Sequence, residues 1–168
     1  VDYYYFQRLL ENMGLRAQLL QALDLEQTYW RTFLANAEIF EGVTDLLDEL
    51  RLKSIPTAIV TDLTAQVQFR KIIYFGLDYY FDHVVTSEEA GYDKPSPAPF
   101  ELVMTKIGEI KGRTWMIGDN PRCDIKGARD TINAITLQKV HKGVELMKGE
   151  FAPDFSFNDF KQVHRLIE

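Results

Sequence analysis

The spacing of apolar residues changes character near residue 40. Before it, apolar side chains recur at helical spacing, as at Phe6, Leu9 and Met13, which predicts a small helical unit. After it, helical patterns alternate with short apolar runs typical of buried strands. Alternating strands and helices imply a parallel sheet covered on both faces. The pattern therefore predicts a doubly wound α/β domain at 39–168, preceded by a helical portion at 1–38.

Four apolar runs have the length of strands, and helical patterns separate them. One of these helices has the clearest start, because Ser96 is the expected N-cap and Pro97 takes the first helical position. Another helix is predicted to open near Asp124. The predicted strands are 57–61, 83–87, 114–119 and 134–138, and the other predicted helices cover 43–50, 65–74 and 158–167.

Composition limits the kinds of partner that fit the chain. Its 168 residues are 46% apolar and 26% charged, which is typical of a folded protein. A net charge of −6 without a cluster of Lys and Arg argues against a nucleic-acid partner. Since no run of about 18 apolar residues occurs, we expect no membrane span. Cys123 is the single cysteine and the opening lacks signal-peptide features, so a cytoplasmic location is expected.

Polar side chains follow the predicted strands where a parallel sheet binds ligands, at the carboxyl ends of its strands. Thr61 and Asp62 end the first predicted strand, and Asp119 ends the third and precedes Asp124. Lys94 lies in the loop before the helix that is expected to start at Ser96. Carboxylates suit a hard cation such as Mg²⁺, while an ammonium and a hydroxyl suit phosphate oxygens. The sequence therefore predicts a joint metal and phosphate site.

The order of four segments, "IVTD", "GYDKPSPAPFELV", "MIGDNPRCDIKGA" and "APDFSF", resembles the haloacid dehalogenase (HAD) superfamily of phosphohydrolases. The resemblance covers about residues 38–168. It implies a Mg²⁺-dependent phosphatase that acts on a small phosphorylated metabolite through an aspartyl-phosphate, with the helical unit as an incomplete cap. It also implies site residues: phosphate binding by Thr61, Asp62 and Lys94, a metal site of Asp119 and Asp124 with Asp119 as the direct ligand, and catalytic roles for Thr61, Lys94, Asp119 and Asp124.

The family's first motif, Asp-x-Asp, does not occur in the 168 residues. Its leading Asp is the family's nucleophile, so the chain by itself is predicted to be inactive. The strand that carries this motif lies between the family's counterparts of the strands ending at Thr61 and Asp119. We therefore expect these two strands not to pair directly, and the nucleophile to lie upstream of residue 1.

Two other functions remain open on the sequence. The chain could be a catalytically silent domain that binds phosphate, metal or a protein partner through the same residues. Dehalogenase chemistry uses the same nucleophile on carbon, but it needs no Mg²⁺, and the retention of Asp119 and Asp124 argues against it.

Several polar residues also have ordinary structural explanations. Asp119 suits an Asx turn and Asp124 a helix N-cap. His83 and His141 have no second candidate metal ligand near them in sequence, so both are expected to be surface or core residues. Cys123 lies between two aspartates that disfavour its thiolate, so it is not expected to be a nucleophile.

Overall fold

A computed structural model describes residues 3–167. The chain divides into two units, Val1–Ile39 and Phe40–Glu168. None of the helices in the described range is both long and apolar enough to cross a bilayer. The elements are α1 (Tyr3–Asn12), α2 (Leu19–Ala35), α3 (Val43–Leu52), β1 (Ala58–Thr61), α4 (Ala65–Tyr74), β2 (His83–Thr86), α5 (Ser87–Ala90), α6 (Pro97–Ile107), β3 (Trp115–Gly118), a π-helical turn (Pro121–Lys126), α7 (Gly127–Ile132), β4 (Ile135–Lys139), a 3₁₀ turn (Gly149–Phe151), β5 (Phe155–Phe157) and α8 (Phe160–Ile167).

The first unit consists of α1 and α2, which pack against each other. Leu10 from α1 and Ala22, Trp30 and Leu34 from α2 are buried. Trp30 lies eight positions after Ala22 and four before Leu34, so these three side chains share one face of α2. The helical spacing of the sequence thus produced helices, as predicted.

The second unit has parallel strands only, within the described residues. β1 pairs with β2, and β4 lies between β3 and β5. Two consecutive residues of β3 pack into different apolar clusters. Met116 packs against α6 and α7, and Ile117 packs against α3 and α8. Because consecutive strand residues point to opposite faces, helices cover both faces of the sheet. The predicted doubly wound α/β fold is confirmed.

The sheet is interrupted between β1 and β3, which belong to different sheets. Val60 of β1 and Met116 of β3 nevertheless pack against the same buried cluster of Phe100, Ala128 and Ala134. All four β1 residues are only half-buried and β3 is no better covered, whereas four of the five β4 residues are buried. The expectation that β1 and β3 do not pair directly is confirmed among the described residues.

Some boundaries differ from the predictions for local reasons. The second strand ends at Thr86, because the Thr86 hydroxyl accepts a hydrogen bond from the Glu89 N–H and starts α5. Ser96 stands at the start of α6, but its side chain makes no capping hydrogen bond. The helix expected near residue 124 begins earlier, as the π-helical turn at Pro121. α8 starts at Phe160, two residues later than expected.

Candidate active site

Lys94 lies in the loop before α6, and its largely buried side chain reaches the carboxyl end of β1. Its side chain is 9% exposed, and Nζ donates to Asp124 Oδ1 at 2.7 Å and to the Val60 carbonyl at 3.0 Å. A buried ammonium is costly unless it is paired and hydrogen-bonded. These two contacts therefore explain how the sheet tolerates the charge, and they link the end of β1 to the turn that follows β3.

Asp124 is as well covered as its partner, with its side chain 8% exposed. Its second oxygen, Oδ2, accepts the Asn120 N–H at 3.0 Å. The carboxylate lies directly over Gly118, where an added Cβ would stand 2.5 Å from Asp124 Cβ and Oδ2. The π-helical turn can close on β3 only because residue 118 has no side chain. Both oxygens of Asp124 are thus engaged within the protein.

Asp119 is the more accessible of the two predicted metal ligands. Its side chain is 54% exposed, and Oδ2 lies 3.1 Å from His141 Nε2. Its backbone carbonyl accepts a longer hydrogen bond, 3.4 Å, from the Gln138 amide. The other oxygen, Oδ1, has no partner among the residues that the structure describes. Asp119 therefore keeps one carboxylate oxygen available for a ligand.

Thr61 and Asp62 complete the predicted set, but they differ in what they contact. Among the described residues, the Thr61 hydroxyl makes a single, long hydrogen bond, 3.4 Å, to the Asp62 carbonyl. The Asp62 carboxylate accepts the Lys94 backbone N–H at 2.9 Å, and its carbonyl accepts the Gln68 amide at 2.6 Å. Asp62 thus ties the loop that carries Lys94 to the end of β1, a contact that the sequence did not predict.

His141 lies at this site, although its sequence context does not predict a role there. The sequence predicts a surface or core residue at this position, and the contact with Asp119 joins residues 22 positions apart. The strand topology could have indicated that His141 lies near Asp119. β4 is parallel to β3, with Gln138 beside Gly118, so the segment after β4 leaves the same edge of the sheet.

Cys123 lies between the two aspartates, half-buried and reduced. Burial raises the pKa of its thiol, and the charges of Asp124 and Asp62 raise it further. A raised pKa means less thiolate near neutral pH. The direction agrees with the expectation that this thiol is not a nucleophile, and burial contributes more to it than the carboxylates do.

The carboxylate oxygens at this site can fill one coordination position of a bound Mg²⁺. Mg²⁺ takes oxygen ligands and usually keeps several waters, so one or two carboxylates suffice from the protein. Asp119 offers such an oxygen, whereas both oxygens of Asp124 are occupied by Lys94 and Asn120. The described residues contain no group of three or more His, Cys, Asp or Glu side chains placed to hold an ion. Of the two predicted metal ligands, Asp119 is therefore the one with a carboxylate oxygen left for a cation.

The chain is similar to a known protein family and to several characterised proteins. The family model of haloacid dehalogenase-like hydrolases matches residues 2–130. The chain is 34% identical over 138 residues to a ribulose-1,5-bisphosphate 5-phosphatase of Halopiger xanaduensis, covering 82% of this chain and 56% of the relative. It is 27% identical to a phosphoserine phosphatase of Thermus thermophilus over 158 residues, covering 94% of this chain and 61% of the relative.

One solved structure also resembles the fold closely. The Bacillus subtilis protein YfnB, crystallised bound to magnesium, superposes with a TM-score of 0.74 at 26% identity, covering 97% of this chain and 69% of that one. The two curated relatives are both considerably longer, since the chain spans only 56% and 61% of their lengths.

Proposed function

The chain belongs to the haloacid dehalogenase-like hydrolases, and from that premise we propose that its protein is a phosphatase that hydrolyses a small phosphorylated metabolite. The observation that carries the proposal is the largely buried Lys94–Asp124 pair, which holds the Lys94 ammonium at the carboxyl end of β1, against the turn that follows β3. Relatives named as phosphatases support the choice of phosphate as the group transferred.

Lys94 is proposed to bind the phosphoryl group. An ammonium has three N–H donors, and two are used by Asp124 and the Val60 carbonyl. The third N–H is left for a phosphate oxygen. The two existing hydrogen bonds set the direction in which this third N–H points. Thr61 ends β1, and its hydroxyl makes a long hydrogen bond to the Asp62 carbonyl. It is proposed to donate to a second phosphate oxygen instead when phosphate binds.

Asp62 and Asp124 are proposed to act through Lys94. Asp124 fixes the ammonium, and Asp62 fixes the backbone of the same residue. A carboxylate that faced the phosphate would repel it. Their engagement by Lys94 lets both lie near a phosphate site while their charges serve to orient and neutralise the lysine.

Asp119 is proposed as a ligand of Mg²⁺, which when bound would neutralise charge on the phosphate and polarise it. The nucleophile is proposed to be a carboxylate on a strand between β1 and β3, from a part of the protein outside residues 1–168. The half-buried strands on both sides of that position support this. In-line attack would form an aspartyl-phosphate and release the alcohol, and water would then release phosphate. The helical unit is proposed as a portion of a cap.

A silent binding domain is the second candidate, and two observations favour it. The described residues contain no group of three or more candidate metal ligands and the 168 residues contain no Asp-x-Asp pair. The test is phosphate release by the full-length protein from p-nitrophenyl phosphate, phosphoserine and ribulose-1,5-bisphosphate, with Mg²⁺ and with EDTA. Mg²⁺-dependent release supports the phosphatase. Absence of release from a folded full-length protein would favour the silent domain.

A further inference from the structure

His141 contacts the carboxylate that the proposed reaction needs, from a loop that the sequence motifs do not include. Its Nε2 lies 3.1 Å from Asp119 Oδ2. The adjoining segment holds Asp119 at a second point, because the Gln138 amide contacts the Asp119 carbonyl at 3.4 Å and the Glu145 carbonyl at 3.0 Å. Residues 138–145 therefore hold Asp119 by both its backbone and its side chain.

The imidazole is itself held in place by aromatic packing. The centroid of its ring lies 5.5 Å from that of Phe40, tilted by 49°, and Phe40 also contacts Phe160 at 6.3 Å. The Lys139 ammonium lies 4.4 Å from the centre of the Phe40 ring, where a cation is attracted by the ring electrons. Lys139 is 7% exposed and donates to the Val140 and Asn158 carbonyls.

These contacts form a continuous chain from a buried lysine to an exposed carboxylate. Lys139 contacts Phe40, Phe40 packs against His141, and His141 contacts one oxygen of Asp119. Asp119 is otherwise half-exposed, and a carboxylate without such a partner rotates freely about its terminal torsion. A ligand that is already oriented loses less conformational entropy when it binds.

We propose that His141 is a positioning residue for Asp119, holding Oδ2 so that Oδ1 remains the oxygen offered to the cation. The inference rests on the proposed phosphatase function and adds to it a residue outside the four motif segments. A histidine that only filled space would need its ring, whereas a positioning histidine also needs the donor at Nε2. The two roles can therefore be separated by substitution.

The test compares the full-length wild type with three variants. His141→Phe keeps an aromatic ring against Phe40 and removes the donor. His141→Gln places an amide N–H at a similar reach from the backbone and serves as the conservative rescue. His83→Phe is the matched control, because His83 opens β2 at the end of the strand away from the site.

Mg²⁺ alone is titrated into each form by calorimetry, and kcat and KM for p-nitrophenyl phosphate are then measured. We expect His141→Phe to weaken Mg²⁺ binding about 10- to 100-fold, the usual effect of losing a partner of a metal ligand. KM for the phosphate ester, measured at saturating Mg²⁺, should change little. His141→Gln should recover most of the Mg²⁺ affinity, and His83→Phe should match the wild type.

Three other outcomes would overturn the proposal. Equal Mg²⁺ affinity in His141→Phe and wild type would refute the role of His141 and leave the phosphatase standing. Equal losses in His141→Phe and His141→Gln would also refute it, because the donor would then not matter. A full-length wild type without Mg²⁺-dependent turnover would refute the proposed function and, with it, this inference.

Discussion

Replacing Lys94 with methionine should destabilise the protein far more than replacing an exposed lysine. Both members of the Lys94–Asp124 pair are less than a tenth exposed. Lys94→Met keeps the length of the side chain but removes its charge, so Asp124 stays buried without its partner. Breaking a buried ion pair from one side costs about 3–5 kcal/mol. That is a large share of the 5–15 kcal/mol typical of a whole domain.

Lys106 provides a closely matched control. It too donates to a strand carbonyl, that of Val84 at 3.2 Å, and it pairs with Glu89 at 2.7 Å. The difference is exposure, since the Lys106 and Glu89 side chains are 29% and 45% exposed. Exposed pairs contribute about 0–1 kcal/mol. Lys106→Met should therefore cost several kcal/mol less than Lys94→Met.

The assay is urea unfolding of the full-length protein, followed by circular dichroism. Asp124→Asn and the double variant with Lys94→Met complete a mutant cycle. We expect the double variant to be destabilised by about 1–3 kcal/mol less than the sum of the single variants, because the second substitution removes the unpaired charge left by the first. Equal costs for Lys94→Met and Lys106→Met, or additive single effects, would refute the reasoning.

Three further results are expected. Asp62→Asn should keep an acceptor for the backbone N–H that it holds, while Asp62→Ala should lose it; kcat for p-nitrophenyl phosphate should then fall only in the alanine variant, and equal losses would contradict this. Gly118→Ala should lower the melting temperature by the equivalent of about 1–3 kcal/mol, because its Cβ would stand 2.5 Å from Asp124; an unchanged melting temperature would argue against that packing. Hydrogen bonds from Thr136 N and Oγ1 hold the pKa of Asp154 below its usual range. The resulting stability is present above the usual carboxyl pKa and is lost as pH falls through about 4 and below, so melting curves of Asp154→Asn should depend less on acid pH than those of the wild type, and parallel curves would refute this.

The sequence predicted the elements whose apolar periodicity is long enough to recognise. The helix Ala65–Tyr74 and the start of α6 at Pro97 agree with the predictions. β5 was not predicted as a strand, because it has three residues and buries only Phe157. A segment of three residues is too short to show an alternating apolar pattern. The strand is recognised by its hydrogen-bonded pairing with β4.

The sequence also indicated why Lys94 and Asp124 should lie near each other, since both follow strands of one parallel layer. It could not indicate their hydrogen bonds. The direction of the Asp62 carboxylate depends on the backbone of the loop at Lys94, and the contact of His141 with Asp119 depends on the course of the chain after β4. Neither is encoded in local spacing, because each joins residues more than 20 positions apart.

The role of Asp119 in Mg²⁺-dependent phosphate release is the most direct test of the account. The measurement is release of phosphate from p-nitrophenyl phosphate by full-length wild type, Asp119→Asn and the control Asp130→Asn, whose exposed carboxylate pairs with Lys126. Asp119→Asn should lose more than about 100-fold of the Mg²⁺-dependent rate, since even partners of a metal ligand contribute 10- to 100-fold. Asp130→Asn should match the wild type. An Asp119→Asn enzyme with the rate and Mg²⁺ dependence of Asp130→Asn would contradict the proposed site.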